Sequence, residues 1–308
     1  MFKIGIVGDV HIATGVSSRK DNYFETCMNK IKEIAGNCKN VIFLGDIFNT
    51  PTIPNNYFIE LYTTLSYLKT VNGNNFYSIV GNHDVYQERE ESLNKTSLGL
   101  CNTLDIIKLI LPDKPVKIDK FTFHSTCVNL KKAKEDLKDK KFNENDILLL
   151  HHYFEDRYEG FKYDELKDLG CKKIFFGHEH LPFEGFRKVY NEFTAYRCGS
   201  LLRNNAGTAN LKRDIFYYII NDENVVQIAK LECTQKAEDV FTEKAFTQEN
   251  LQKKQFLTDI NDVIQKYTNN INTKNCFSIK SILEELNASD KVIQYIEDKY
   301  TLTGTTFV

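Results

Sequence analysis

The chain has 308 residues, enough for one large domain, or a large and a small one, with a sizeable buried core. Its formal net charge of -2 and pI near 6.4 give no global basic footprint, so any contact with nucleic acid has to come from local patches. Hydrophobic content of 42% and charged content of 27% are ordinary for a globular protein and carry no signature of disorder.

The first apolar run, residues 2–7, reads as a strand and is too short for a signal sequence, being interrupted by Gly8-Asp9-Val10-His11. Asp9 and His11, two apart on an extended backbone, point to one side and can reach one ion. A polar linker with Ser17, Ser18 and Asp21 leads into a helix with Phe24, Cys27, Met28, Ile31 and Ile34 as its apolar face. Strand 41–44 then enters Gly45-Asp46, which begins a βαβ alternation. Pro51 and Pro54 punctuate the next loop, and Asn55 or Asn56 is a natural cap for a helix carrying Phe58, Leu61, Tyr62, Leu65 and Leu68.

Strand 76–80 delivers Gly81-Asn82-His83-Asp84, followed by a charged segment and a weaker helical pattern through Leu93, Leu100 and Leu104. Strands are expected at 105–110 and 121–128, and the lysines of 131–141, interleaved with Glu135, Asp136 and Asp139, read as a solvated helix face. Strand 147–150 ends at His151-His152. Helix 163–169, closed by Gly170, precedes strand 173–176 and Gly177-His178-Glu179-His180. Further strands continue to about Leu231. From about Ala237 the chain becomes helical in pattern, with apolar stripes through Leu251, Phe256, Ile260 and Val263 and through Ile279, Ile282 and Leu286. The expected division is 1–232 and 233–308.

The eight cysteines never form C-x-x-C, so neither a zinc knuckle nor a disulfide framework is expected; reduced thiols fit a cytoplasmic protein. No apolar run approaches the length of a membrane helix.

Five strand ends thus carry Asp9 and His11, Asp46, Asn82 and His83, His151, and His178 and His180. With His152, next to His151, six of the seven histidines fall at these ends, and His124, in mid-strand, reads as a core residue. Oxygen and nitrogen donors with a carboxylate free to bridge suit two first-row divalent ions about 3.5–4 Å apart. Such a pair serves phosphate-ester hydrolysis, because it activates water and stabilises charge on the attacking and leaving oxygens. His83, beside a proposed ligand, is placed to protonate what leaves; the alternative is that it only orients its neighbours.

Gly-Asp-x-His, Gly-Asp, Gly-Asn-His-Asp, a strand-end His and Gly-His-x-His, in that order over residues 1 to about 232, resemble the calcineurin-like metallophosphoesterases. The resemblance implies an α/β fold of two packed mixed sheets flanked by helices, with a small helical region after it. It implies one metal on Asp9, His11 and His180, the other on Asn82, His151 and His178, Asp46 bridging, and His151 rather than His152 as ligand. Within the superfamily, Gly45-Asp46-Ile47-Phe48-Asn49-Thr50, Gly81-Asn82-His83-Asp84 and Cys198-Gly199-Ser200-Leu201-Leu202-Arg203 are most similar to SbcD-type DNA repair nucleases. Phosphoprotein phosphatases differ, carrying Asp-Arg-Gly after the second motif and Glu after Asn-His. Val10 departs from the Trp often found in the first motif.

The SbcD resemblance implies Mn²⁺, a DNA substrate, an SMC-like ABC ATPase (SbcC-type) partner gripped by helices within 233–308, and a homodimer formed by the helix after Pro54 and the segment 93–104. Tyr57, Leu61 or Leu68 would then lie between subunits. Arg187, Lys188, Arg197, Arg203, Lys212 and Arg213 are candidates for a phosphate track, with solvated surface as the alternative. The other functional readings are a phosphodiesterase or phosphatase for small esters, and a scaffold without activity.

Overall fold

A computed structural model describes residues 3–155 and 159–245 of the chain. The elements in order are β1 (Lys3–Val7), α1 (Tyr23–Asn37), β2 (Asn40–Phe43), α2 (Asn55–Asn72), β3 (Asn75–Ser78), α3 (Ser97–Thr103) and β4 (Lys108–Leu109). There follow β5 (Val116–Ile118), β6 (Phe121–Ser125), α4 (Leu130–Leu137), β7 (Asp146–Leu150), α5 (Tyr163–Leu166) and β8 (Lys173–Phe176). The last are β9 (Arg187–Val189), β10 (Thr194–Tyr196), α6 (Thr208–Lys212), β11 (Phe216–Asn221), β12 (Val226–Lys230) and α7 (Ala237–Val240).

These strands build two mixed six-stranded sheets, β12-β11-β1-β2-β3-β4 and β5-β6-β7-β8-β10-β9. Strands β1 to β4 run parallel in the first, and β6, β7, β8 and β10 in the second. The pleat explains why the sequence shows continuous apolar runs. Ile4, Ile6, Ile42, Leu44, Tyr77 and Ile79 meet Phe123, Ile147, Leu149 and Phe175 between the sheets. Their neighbours Val7, Val41, Phe43 and Phe76 face α1 and α2, while Leu148, Leu150, Ile174 and Phe176 face α4 and α5. Strands buried on both faces need apolar residues at every position.

Helix α1 forms where expected: Asn22 caps it by accepting from the Glu25 amide, and its apolar positions are buried. The start of α2 differs, since Pro54 occupies the capping position and Asn55 is the first helical residue. Leu61 and Leu68 are buried in the core beneath α2, and Tyr57 packs partly buried against it, so the expectation that Leu61 or Leu68 faces outward is corrected. The apolar side chains that α2 exposes are Ile59, Tyr62, Tyr67 and Val71.

The expected strand 105–110 shrinks to two residues because Asp105 has a positive φ of 54°, which breaks an extended chain. The pattern at 93–104 divides at Thr96, whose hydroxyl caps α3 by accepting from the Gly99 amide. His124 is half-buried rather than in the core, its Nε2 lying 3.3 Å from Asp146 Oδ1.

Residues 1–242 form one compact unit and 243–308 a second. Past β12 the chain remains on the first unit: Glu33 accepts from the amides of Glu232 and Cys233, and the Thr242 amide donates to Ser18 O. The apolar stripes between Leu251 and Leu286, with the partner docking expected of them, lie outside the described residues. Among the described residues no helix is long and apolar enough to cross a membrane, and all seven cysteines are free thiols.

Candidate metal centre

The parallel strands β1, β2, β3, β7 and β8 each end in one of the predicted motifs, so both sheets direct their carboxyl edges at one place, where ligands of α/β sheets gather. Asp9, His11, Asp46, Asn82, His151, His178 and His180 all meet there. His11 Nε2 lies 2.8 Å from His180 Nε2, and Asp9 Oδ2 lies 3.7 Å from His180 Nε2. On the other side, Asn82 Oδ1 lies 3.1 Å from His151 Nε2 and 2.9 Å from His178 Nδ1.

Asp46 Oδ2 joins the two groups, at 3.8 Å from His11 Nε2 and 3.2 Å from His151 Nε2. Its other oxygen, Oδ1, accepts from the His83 amide at 2.8 Å, which fixes the carboxylate with Oδ2 aimed between the clusters. Metal bonds of about 2.0–2.2 Å put neighbouring ligand atoms roughly 3 Å apart, the scale of these separations.

Local backbone geometry makes the convergence possible. His11, Asp46 and His178 have φ of 53°, 47° and 76°, a left-handed conformation that costs on the order of 1–3 kcal/mol per non-glycine residue and concentrates at functional sites. Gly45, at φ 87°, has no Cβ for a second reason: one would lie 2.5 Å from His151 Nδ1. That nitrogen donates to Leu44 O at 2.7 Å, which directs Nε2 toward Asp46. The His178 amide donates to Asp9 Oδ1 at 3.0 Å, so Oδ2 is the free oxygen of that carboxylate.

Asp9 Oδ2 is buried without a hydrogen-bond partner, a state that a cation would relieve, and the donor set is oxygen and imidazole nitrogen throughout. The residues fit a pair of divalent ions. Burial takes His11 and His178 down to about 3 and His180 to about 4, so these rings are neutral, as metal ligands must be. Burial lifts the Asp9 carboxyl to about 7 against the pull of His151. Burial would also raise Asp46, but His151 outweighs it and holds that carboxyl below its ordinary range. The same attraction, chiefly from Asp46, overcomes burial at His151 and raises it to about 10.

His83 sits at the exposed rim, its ring centroid 4.9 Å from that of His11. Its Nδ1 donates to Asn49 O at 2.8 Å, leaving Nε2 to hold or release a proton. His152 is turned away from the cluster, its Nε2 2.9 Å from Cys127 O, and Tyr153 sets its ring edge-on to His178 with centroids 4.3 Å apart.

The structure turns three of the expected phosphate-track residues inward. Arg203 donates to Asn210 O, Arg213 O and Gln235 O, and Arg213 donates to Ser200 O and Leu202 O. Arg197 is buried with its guanidinium 4.1 Å from the centre of the Phe183 ring, whereas Arg187 and Lys212 are exposed. Asp84, the last residue of the third motif, has a role that the motif does not state. Asp84, fully buried, accepts from the amides of Phe48 (3.1 Å) and Gly81 (3.0 Å) and so ties the Asp46 loop to the Asn82 loop. Its signal was the capping spacing from Gly81.

Three overlapping donor groups, Asp9–His11–His180, His11–Asp46–His83 and Asp46–His151–His178, at the joined edges of two packed sheets, suit a dinuclear metallohydrolase centre, with His83 at its rim within reach of His11 and Asp46. The chain belongs to the calcineurin-like phosphoesterase family, whose model matches residues 2–182. It has the family's metallophosphoesterase α/β fold; the family binds two divalent metals and hydrolyses phosphoesters with them, and this chain carries candidate His and Asp groups for such ions.

Among solved structures, the chain is similar to the purple acid phosphatase PPD1 from yellow lupin (Lupinus luteus) seeds at 11% identity and a TM-score of 0.48, covering 78% of this chain and 53% of that one. It is also similar to a conserved uncharacterized protein, a predicted phosphoesterase, from Streptococcus pneumoniae TIGR4, at 12% identity and a TM-score of 0.33 over 76% of this chain and 91% of that one. The chain thus spans about half the length of the lupin phosphatase. No curated protein sequence matches it.

Proposed function

We propose that the chain is the nuclease subunit of an SbcD-like machine, hydrolysing DNA phosphodiesters with two Mn²⁺ ions, as a homodimer and with an SMC-like ABC ATPase partner. The observation that carries the hydrolytic reading is Asp46 Oδ2, which lies within reach of both donor clusters while Oδ1 is tied down by the His83 amide. Asp9, His11 and His180 would hold one ion; Asn82, His151 and His178 the other. Two divalent ions held there would supply a nucleophile at neutral pH and neutralise charge around phosphorus. His83 is the residue we assign to protonating the leaving oxygen, since Nδ1 is engaged by Asn49 O and Nε2 is not.

The nuclease half of the reading rests on the motifs Gly45 to Thr50 and Cys198 to Arg203. The dimer is supported by α2, which exposes Ile59, Tyr67 and Val71, each about 60% accessible, and by Leu100 in α3 and Leu104 just after it. A strictly monomeric mass by light scattering at micromolar concentration would refute it.

A second reading, a phosphodiesterase for nucleotides or other small esters, is favoured by one observation: Arg203 and Arg213 spend their guanidinium groups on backbone carbonyls and not on a phosphate track. The two readings separate when the purified chain is given Mn²⁺ with labelled single- and double-stranded oligonucleotides and with bis(p-nitrophenyl) phosphate. Oligonucleotide cleavage well above the small-ester rate supports the nuclease; the reverse supports the second reading.

A further inference from the structure

We propose that Asn204, steadied by the Tyr23 hydroxyl, is the residue that positions His180 for metal binding. The inference rests on His180 being a ligand. His180 offers Nε2 to the cluster, and a neutral imidazole that ligates through Nε2 carries its proton on Nδ1. Asn204 Nδ2 stands at that Nδ1, 3.3 Å away, while Oδ1 accepts from Tyr23 OH; the two ends of an amide are interchangeable by a half-turn, and ligation through Nε2 calls for the turned orientation. With its oxygen turned to the ring it accepts the proton, and this fixes both the tautomer and the ring angle. Tyr23 OH, from buried α1, lies 3.3 Å from the other end of the amide. A hydroxyl both donates and accepts, so it can hold the amide in the orientation the ring requires.

The platform under Asn204 is fixed to an unusual degree. Four consecutive carbonyls lead up to it, and each accepts from a buried basic side chain: Ser200 O and Leu202 O from Arg213, Leu201 O from Lys30, and Arg203 O from Arg19. On the opposite edge the amides of Ser200 and Leu201 donate to His180 O (3.1 Å) and Asp9 O (2.7 Å), the backbones of two proposed ligands of the same metal. Gly8 and Gly199 let these segments touch, because a Cβ on Gly8 would lie 1.9 Å from Gly199 O. Burying cations is expensive, and burial takes Lys30 down to about 7 and Arg213 to about 9. Apolar side chains would fill the same space without that cost. What the cations add is a backbone pinned carbonyl by carbonyl, which sets where the Asn204 amide stands.

His151 is oriented differently, by the main-chain oxygen of Leu44. The Asn204 arrangement therefore acts on one cluster only, and a substitution there should weaken one of two metals. The test is a two-site calorimetric titration of the intact chain with Mn²⁺, alongside thermal denaturation. Asn204→Leu should weaken one site by about 10–100-fold, the usual loss when a ligand's hydrogen-bond partner is removed, and leave the other within about twofold. Asn204→Asp, whose carboxylate accepts from the same Nδ1–H, should keep that site near its original affinity. Tyr23→Phe, which preserves the ring packing, should weaken the same site in the same direction by less, and it decides the matter if Asn204→Leu does not fold. Unchanged affinities, or equal weakening of both sites, would overturn the proposal. A His180→Ala control separates the two claims. If that variant kept both metals, the ligand assignment would fail; if it lost one while Asn204→Leu and Tyr23→Phe lost none, only the positioning role would.

Discussion

Replacing Asp84 with alanine removes the acceptor of two backbone amides, those of Phe48 and Gly81, both inside the protein. An unpartnered buried N–H costs about 1–3 kcal/mol, so two amount to about 2–6 kcal/mol. Deleting the carboxyl also removes the cost of burying it, a cost visible in its rise to about 7, so the net loss should fall in the lower half of that range. For a unit of this size that is a drop of roughly 4–16 °C in Tm. The consequence reaches the metals, because Phe48 lies two residues beyond Asp46 and Gly81 directly precedes Asn82. Once the brace is gone, both loops can move and Mn²⁺ affinity should fall. Urea denaturation and calorimetric Mn²⁺ titration of Asp84→Ala read the two effects. A stability change under about 0.5 kcal/mol with unaltered affinity would refute the reasoning.

Mn²⁺ binding should release protons and tighten as pH rises: Asp46 keeps His151 protonated up to about 10 against burial, and Asp9, raised by burial, sheds its proton only near 7, so both must deprotonate to bind. Calorimetry in buffers of different ionisation enthalpy measures the release, and none at pH 6.5 would contradict it. Lys30, lowered by burial to about 7, is neutral in the folded chain between about 7 and 10.5 while the unfolded chain still holds its proton, so it makes stability rise with pH across that window. The advantage of wild type over Lys30→Met should therefore grow from pH 7 to 10 in denaturant titrations; a constant difference would show that Lys30 does not titrate there. Gly8→Ala sets a methyl against Gly199 O, backbone against backbone, and should cost about 1–3 kcal/mol by urea denaturation. Native stability would mean that the two loops are not in contact.

The strand-end residues were legible because four of the five apolar runs stop at a glycine followed by a ligand type, the fifth passing directly from Leu150 to His151, and the two-faced burial that produces such runs is a property of parallel strands. What the pattern hid was direction. Helix α2 carries apolar residues on most of its surface, so spacing did not distinguish buried Leu61 and Leu68 from exposed Ile59 and Tyr67. A basic residue likewise carries no mark of whether carbonyls will meet it, as they meet Arg203 and Arg213. Asn204 follows no motif at all. Its significance comes from His180 and Tyr23, brought to it from β8 and α1, and only the folded chain joins them.

The central claim is that Asp46 links two metals and His83 acts on the substrate. The most direct measurement is bound Mn²⁺ per chain together with the hydrolysis rate, for wild type, Asp46→Ala and His83→Ala. The account predicts two ions in wild type, loss of metal and of hydrolysis in Asp46→Ala, and retained metal with turnover slowed about 10²–10⁴-fold in His83→Ala. An Asp46→Ala protein that kept both ions and its rate, or a His83→Ala protein that lost its metals as fully as Asp46→Ala, would contradict it.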